Sequence, residues 1–84
     1  MTVDDHQIAD RVRALLAQVL DVPPPSIGPG FSATSAAAWT SLNHLMLVSQ
    51  MEGEFGIVFS NAEIRDLTSF DRIVELVAQH SKRA

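Results

Sequence analysis

Hydrophobic residues repeat at a helical spacing in the first quarter of the chain. They fall at i, i+4, i+7, i+8, i+11 and i+12, one stripe of a helix with 3.6 residues per turn: Ile8, Val12, Leu15, Leu16, Val19 and Leu20. Asp4 and Asp5 precede the stripe, where the positive end of a helix dipole favours carboxylates. Three prolines after it lack the amide hydrogens that a continuing helix needs. The pattern therefore predicts a first helix over residues 4–20.

A long stretch of turn-forming residues follows, from Asp21 to about Trp39. It contains the triple proline, a Gly-Pro-Gly sequence and three alanines at 36–38, enough for a single helical turn. Connections longer than about 12–15 residues are uncommon in compact domains unless they are functional. We expect Ile27, Phe31 and Trp39 to pin this loop to the core.

Helical periodicity resumes after the loop and predicts a second helix over residues 41–55. Thr40 or Ser41 supplies its N-cap, because a short hydroxyl side chain can accept a hydrogen bond from a free amide of the first turn. Gly56 is well placed to end the helix in the left-handed conformation. Its predicted inner face consists of Leu42, Leu45, Val48, Ser49 and Glu52, and Met46, Leu47 and Met51 widen the apolar surface.

Two shorter helices are predicted in the last third of the chain. Ser60 and Glu63 have the spacing of a capping box and predict a third helix over 60–67. Thr68 repeats this spacing with the acid three residues later and predicts a fourth helix over 69–80. The inner stripe of the fourth helix is Phe70, Ile73, Val74 and Val77, and two cations complement the dipole at its end, Lys82 and Arg83.

These elements predict an all-α fold, a four-helix bundle with a long loop between helices one and two and a short third helix. The sequence is 46% hydrophobic and 19% charged, as in ordinary globular proteins, and its 84 residues suffice for one small domain over 1–84. We expect the helices to share one core that includes Leu16, Val48, Phe55, Ile64 and Val74.

Charge and composition argue against several classes of function. A net charge of −4 disfavours nucleic acids and anionic membranes as partners, since both require a basic patch. The uncharged stretch Val22–Met51 is broken by prolines and glycines and cannot span a bilayer. The absence of cysteines excludes disulfides, thiolate metal sites and cysteine nucleophiles. With no basic segment before an apolar run at Met1, these observations favour a cytoplasmic protein.

Catalytic constellations are nearly absent from the sequence. His6, His44 and His80 lack the spacing of a zinc site. Ser41 and His44 are three residues apart and could touch on a helix, like a nucleophile and its base. However, no carboxylate lies near them in sequence to orient the imidazole, and no oxyanion hole is evident. The simpler interpretation is a polar histidine on an exposed helix face, so we expect no catalytic residues, no metal site and no enzyme.

Ser41 has two interpretations of its own. A serine in the first turn of a helix, preceded by a long loop, is accessible, and a helix N-terminus favours an attached phosphate. The alternative is that Ser41 only caps the helix.

Two motifs mark the ends of the second helix. Thr40-Ser41-Leu42 opens it and Glu54-Phe55-Gly56 closes it, with Ser41 fourteen residues before Phe55. The opening belongs to the longer run Trp39-Thr40-Ser41-Leu42-Asn43-His44-Leu45, and Thr68-Ser69-Phe70 followed by Ile73-Val74 starts the last helix. In these features the whole chain resembles the acyl carrier proteins, which have Asp-Ser-Leu at the start of the second of four helices and Glu-Phe-Gly at its end.

The resemblance implies that Ser41 carries a 4′-phosphopantetheine arm, transferred from coenzyme A by a phosphopantetheinyl transferase. The thiol of such an arm holds acyl cargo as a thioester for acyl-loading and acyl-transfer enzymes. We expect a free-standing monomer with cargo from polyketide or fatty-acid-like biosynthesis. Two alternatives are an aminoacyl or peptidyl carrier and a helical interaction module that has lost the prosthetic group.

The chain departs from the family pattern in two respects. Thr40 replaces the usual aspartate and so removes a carboxylate that takes part in recognition by the transferase. Asn43, His44 and Met46 occupy positions near the serine where carriers often have acids. We therefore predict that partners dock through Thr40, Leu42, His44 and Met46, by apolar and hydrogen-bonding contacts with weak electrostatic steering.

Overall fold

A computed structural model describes residues 5–83 and contains four α-helices in that range. They are α1 (Asp5–Leu20), α2 (Ser41–Phe55), α3 (Asn61–Asp66) and α4 (Phe70–Arg83). The predicted all-α fold with a long first loop and a short third helix is confirmed. α4 runs three residues past its predicted end at 80. The predicted dipole contacts of Asp4, Asp5, Lys82 and Arg83 concern side chains outside the described part of the structure.

The first helix lies at the centre of the packing, because α1 contacts both α2 and α4. Its predicted stripe is confirmed: Ile8, Val12, Leu15, Leu16 and Leu20 are buried, and Val19 is half-buried against the same core. Each fully buried aliphatic side chain of this kind contributes about 1.5–3 kcal/mol relative to its exposure. Burial of this one face therefore gives α1 most of its stability.

The inner face predicted for α2 is wrong by about one residue position, or about 100° of helix rotation. Leu47, Val48 and Met51 are buried, whereas Leu42 and Leu45 are 68% and 61% exposed. The physical reason is that α2 carries apolar residues on both sides and no charge before its last turn. Hydrophobicity alone therefore could not decide which side packs on α1.

Of the five residues predicted for the core, Leu16 and Val48 are buried, and the other three pack against the core without full burial. Phe55, Ile64 and Val74 are half-buried at the edge of the core. The centre also contains the predicted loop residues Ile27 and Trp39, and five residues outside the predicted set: Met51, Phe59, Leu67, Leu76 and Ala78.

Helix ends follow the sequence signals with one correction. Ser60 and Glu63 form the predicted capping box, with reciprocal hydrogen bonds of 3.1 and 2.9 Å between side chain and backbone. Gly56 ends α2 in the left-handed conformation, at φ 65° and ψ 38°. The cap of α4 is Ser69, whose hydroxyl accepts from the third residue on, because the carbonyl of Thr68 is bonded to the first loop instead.

The first loop, residues 21–40, is attached to the bundle as predicted. Ile27 and Trp39 are buried and Phe31 is half-buried against the core. The loop contains a short 3₁₀ helix (Pro24–Ser26), and the three alanines form a single hydrogen-bonded turn rather than a helical one. Two backbone hydrogen bonds, of 2.8 and 2.9 Å, join the loop to the α3–α4 junction: Ala33 N to Thr68 O, and Phe70 N to Phe31 O. The start of α2 is therefore held between the loop and this junction.

Candidate functional site

Ser41 is the exposed first residue of α2, and its hydroxyl is not used as a cap. The N-cap is Thr40, in extended conformation, whose Oγ1 accepts a hydrogen bond of 3.2 Å from the backbone N of Asn43. Of the two candidates that the sequence left open, Thr40 therefore caps the helix. The hydroxyl of Ser41 bonds to no other residue within 5–83. The first amides of a helix have no acceptor inside it, so the N–H groups of Ser41 and Leu42 remain available.

The side chain of Asn43 fixes the chain just before Ser41. Its Nδ2 donates to the carbonyl of Ala38 at 2.7 Å, and the same carbonyl accepts from the backbone N of Thr40 at 2.9 Å. These two hydrogen bonds close the end of the first loop onto the first turn of α2. The position of Ser41 thus depends on its own helix and on the loop together.

The ring of His44 connects three parts of the fold. Its Nδ1 lies 3.1 Å from the indole Nε1 of Trp39, and its Nε2 lies 2.7 Å from the carbonyl of Ile64. An indole N–H can only donate, so Nδ1 accepts and the neutral ring donates from Nε2. His44 is half-buried, which corrects the predicted exposed face. Because both nitrogens are engaged in this way, neither is free to act as a general base for Ser41.

An open cavity of 430 Å³ lies beside Ser41. Its walls come from the first loop, the start of α2 and the α3–α4 region: Ala33, Trp39, Thr40, Ser41, His44, Leu45, Arg65 and Thr68. Most of the lining is apolar, and Arg65 is the one formally charged side chain among the described residues that form it. The arrangement can accommodate an apolar group near the Ser41 hydroxyl and an anion near Arg65.

An exposed apolar strip on α2 follows Ser41, and its member Leu45 also lines the cavity. Leu42, Leu45 and Met46 are 68%, 61% and 45% exposed and lie at spacings of three and four residues. Leu42 and Met46 are two of the predicted partner contacts, and Leu45 was predicted to face the core instead. An apolar strip of this kind, within the uncharged stretch Val22–Met51, suits contact with another protein.

The remaining histidines lie away from Ser41 in the contact network. His6 is exposed on α1, 3.8 Å from Asp10. His80 on α4 bonds to the Glu63 carboxylate at 3.0 Å and packs edge-on against Phe59. Within residues 5–83, no group of three or more histidines and carboxylates is placed to hold a metal ion. None of the described helices is both long and apolar enough to cross a membrane.

The surroundings of Glu63 lower the pKa of its carboxyl group. The backbone N–H of Ser60 donates to its carboxylate and lowers the pKa of Glu63, and the His80 ring lowers it further against an opposing effect of burial. The capping box of α3 is therefore most stable with Glu63 ionised.

Sequence reasoning missed the hydrogen bonds of His44 and the placement of Arg65. The Trp39 and His44 pair was visible as part of the motif that opens α2, but its partner Ile64 lies twenty residues away. Arg65 carries no local signal, since only the tertiary fold places it beside Ser41.

No protein-family model matches this chain. An acyl carrier protein from Cyanidioschyzon merolae (strain NIES-3377 / 10D) is 30% identical to it over 78 residues. The match covers 93% of this chain and 86% of that protein. Since the match leaves out only a small part of the chain, the matched region includes all of α2 and therefore position 41.

Proposed function

This chain belongs to the acyl carrier protein family, and from that membership we propose that Ser41 carries a 4′-phosphopantetheine arm on which acyl groups are delivered to partner enzymes. The observation that carries the proposal is the free, exposed hydroxyl of Ser41 at the start of α2. It is free because Thr40 does the capping.

The surroundings of Ser41 fit a phosphate ester. The available amides of the first turn and the positive end of the helix dipole both favour an anion there. No acidic side chain occurs between Val22 and Met51, so no carboxylate close in sequence repels it. When bound, the arm supplies a thiol that holds the acyl group as a thioester.

The residues around Ser41 position it and leave the chemistry to the partner enzymes. Asn43 and His44 hold the loop and α3 against the first turn of α2, and the two nitrogens of His44 are engaged in doing so. Attachment of a group to a small carrier domain raises the effective concentration of that group at each partner. We therefore assign the chain a carrier role without catalytic residues.

The exposed apolar strip of α2 is the proposed docking surface. We expect a phosphopantetheinyl transferase and the acyl-loading and acyl-transfer enzymes to contact Leu42, Leu45 and Met46. Thr40 and His44, predicted as partner contacts from the sequence, stay predictions. The ring nitrogens of His44 are occupied, so a partner would meet its carbon edge.

The proposed cargo is an acyl group of polyketide or fatty-acid-like biosynthesis. Support comes from the mostly apolar walls of the cavity beside Ser41, which would shelter a hydrocarbon chain better than a charged aminoacyl group. The cytoplasmic location, the monomeric state and the single domain over 1–84 stay predictions.

A loading assay tests the acyl carrier role. The protein is incubated with acetyl-coenzyme A and a promiscuous transferase, and its intact mass is measured before and after hydroxylamine. We expect a gain equal to the arm plus an acetyl group, of which hydroxylamine removes only the acetyl group. A product that hydroxylamine leaves unchanged would contradict the thioester, and no gain at all would favour a helical module without a prosthetic group.

A further inference from the structure

Arg65 is a cation near the attachment site that has no partner among the described side chains. It is exposed near the end of α3 and lines the same cavity as Thr40 and Ser41. Within residues 6–81, whose side chains the structure describes, no hydrogen bond or ion pair engages its guanidinium. The three other arginines with described side chains are each paired with a carboxylate: Arg11, Arg13 and Arg72.

The acids nearest to Arg65 in sequence are committed elsewhere. Glu63 accepts from the backbone of Ser60 and from His80. Asp66 is paired with Arg72. The positions three and four residues away on either side hold Asn61, Ala62, Thr68 and Ser69, so no carboxylate can reach Arg65 along the helix. Residues 22–51, which include most of the first loop and the first turns of α2 on the opposite wall, contain no acid either.

An unpaired guanidinium at this place suits a phosphate. Its planar fork of donors matches phosphate oxygens, and such charge-assisted hydrogen bonds are stronger than neutral ones. A phosphate ester on Ser41 has its phosphorus bonded directly to Ser41 Oγ, and Ser41 lines the same cavity as Arg65. Thr40 matters here as well, because a carboxylate at that position would compete with the phosphate for the cation.

We propose that Arg65 binds the phosphodiester that joins the arm to Ser41 and so holds the base of the arm against the α3 side of the cavity. This inference rests on the proposed function. Arg65 is a positioning residue in this account, since it orients the base of the arm and takes no part in acyl transfer.

A second role for Arg65 must be separated from this one. A cation in the last turn of a helix complements the dipole, and that contribution would exist with or without the arm. The decisive comparison is therefore between the apo and the holo forms of the same variant. Holo protein without cargo is used, because the arm then carries the phosphodiester as its one anionic group.

The experiment uses wild type, Arg65→Gln, Arg65→Lys and, as a matched control on α1, Arg11→Gln, which removes a cation that does not line the cavity. Intact mass first establishes that each variant gains the arm. Two quantities follow at low salt: the ³¹P chemical shift of the folded holo protein relative to the urea-unfolded one, and the folding constant of holo relative to apo.

In wild type and Arg11→Gln we expect a ³¹P shift on folding and, from one exposed ion pair, a folding constant raised about two- to fivefold by the arm. Arg65→Gln should lose both effects, and Arg65→Lys should keep part of the increase in the folding constant.

Equal apo-to-holo changes in Arg65→Gln and wild type would overturn the inference, and the mass gain would then still support the proposed function. Effects that appear only after loading a carboxylated acyl group would also overturn it, since the cargo would then be the ligand. Absence of the mass gain in wild type refutes the proposed function itself.

Discussion

Replacing His44 with phenylalanine tests how the site is held together. The substitution keeps an aromatic ring in the same half-buried place and removes both ring nitrogens. The Trp39 indole N–H then loses its partner, and the Ile64 carbonyl keeps only the longer hydrogen bond from the backbone N of Leu67, at 3.4 Å. An unsatisfied polar group costs about 1–3 kcal/mol when fully buried. Trp39 is buried, whereas Ile64 is half-buried, so we expect a loss of about 1–3 kcal/mol in total.

A double-mutant cycle isolates the Trp39–His44 hydrogen bond from the rest of this loss. Wild type, Trp39→Phe, His44→Phe and the double variant are unfolded in urea, and the coupling energy between the two sites is expected to be about 0.5–1.5 kcal/mol. The His44→Phe variant should melt lower by about 4–8 °C per kcal/mol lost. His6→Phe is the matched control, since His6 is exposed, and it should stay within about 0.5 kcal/mol of wild type.

Additive effects of the two substitutions, with His44→Phe as stable as His6→Phe, would refute this reasoning. The His44 ring would then contribute nothing to the position of the first loop beside Ser41.

Three further predictions address the core, the capping box and the docking surface. Met51→Ala should cost about 2–5 kcal/mol in urea unfolding, more than Phe55→Ala, because Met51 is fully buried; an equal or larger loss at Phe55 would contradict the observed packing. Folding lowers the pKa of Glu63, so the ionised side chain stabilises the fold at pH 7, and this stabilisation fades as the pH falls below the ordinary glutamate pKa of about 4.3. The free energy of unfolding of Glu63→Gln should therefore fall less on acidification than that of wild type. Parallel curves of unfolding free energy against pH for the two proteins would contradict this. The affinity of the loaded carrier for its enzyme should fall only slightly from low salt to several hundred millimolar salt, and Met46→Ala should lower it. A steep salt dependence with no effect of Met46→Ala would favour an acidic docking patch instead.

The parts of the fold set by local chemistry could be predicted from the sequence. The apolar stripe of α1 has charged residues on its other side, which leaves one way to bury it. The capping box at Ser60 and the left-handed Gly56 depend on a few neighbouring residues, and both are found. These signals fixed the helix boundaries to within a few residues.

The parts that depend on tertiary contacts could not be predicted. Both sides of α2 are apolar, so its rotation is decided by the fit of Leu47 and Met51 in the core and not by composition. The motif predicts Ser41 as the attachment site, but only the structure shows that Thr40 does the capping. The contact of His44 with Ile64 and the placement of Arg65 follow from the position of α3, which no local pattern encodes.

Intact mass after incubation with coenzyme A and a promiscuous phosphopantetheinyl transferase tests the central claim most directly. Wild type is compared with Ser41→Ala and with Ser49→Ala, an exposed serine of the same helix. Because Thr40 provides the cap, Ser41→Ala should keep its helical circular dichroism. Our account predicts that wild type and Ser49→Ala each gain one phosphopantetheine and that Ser41→Ala gains none. A mass gain in Ser41→Ala, or none in wild type, would contradict it.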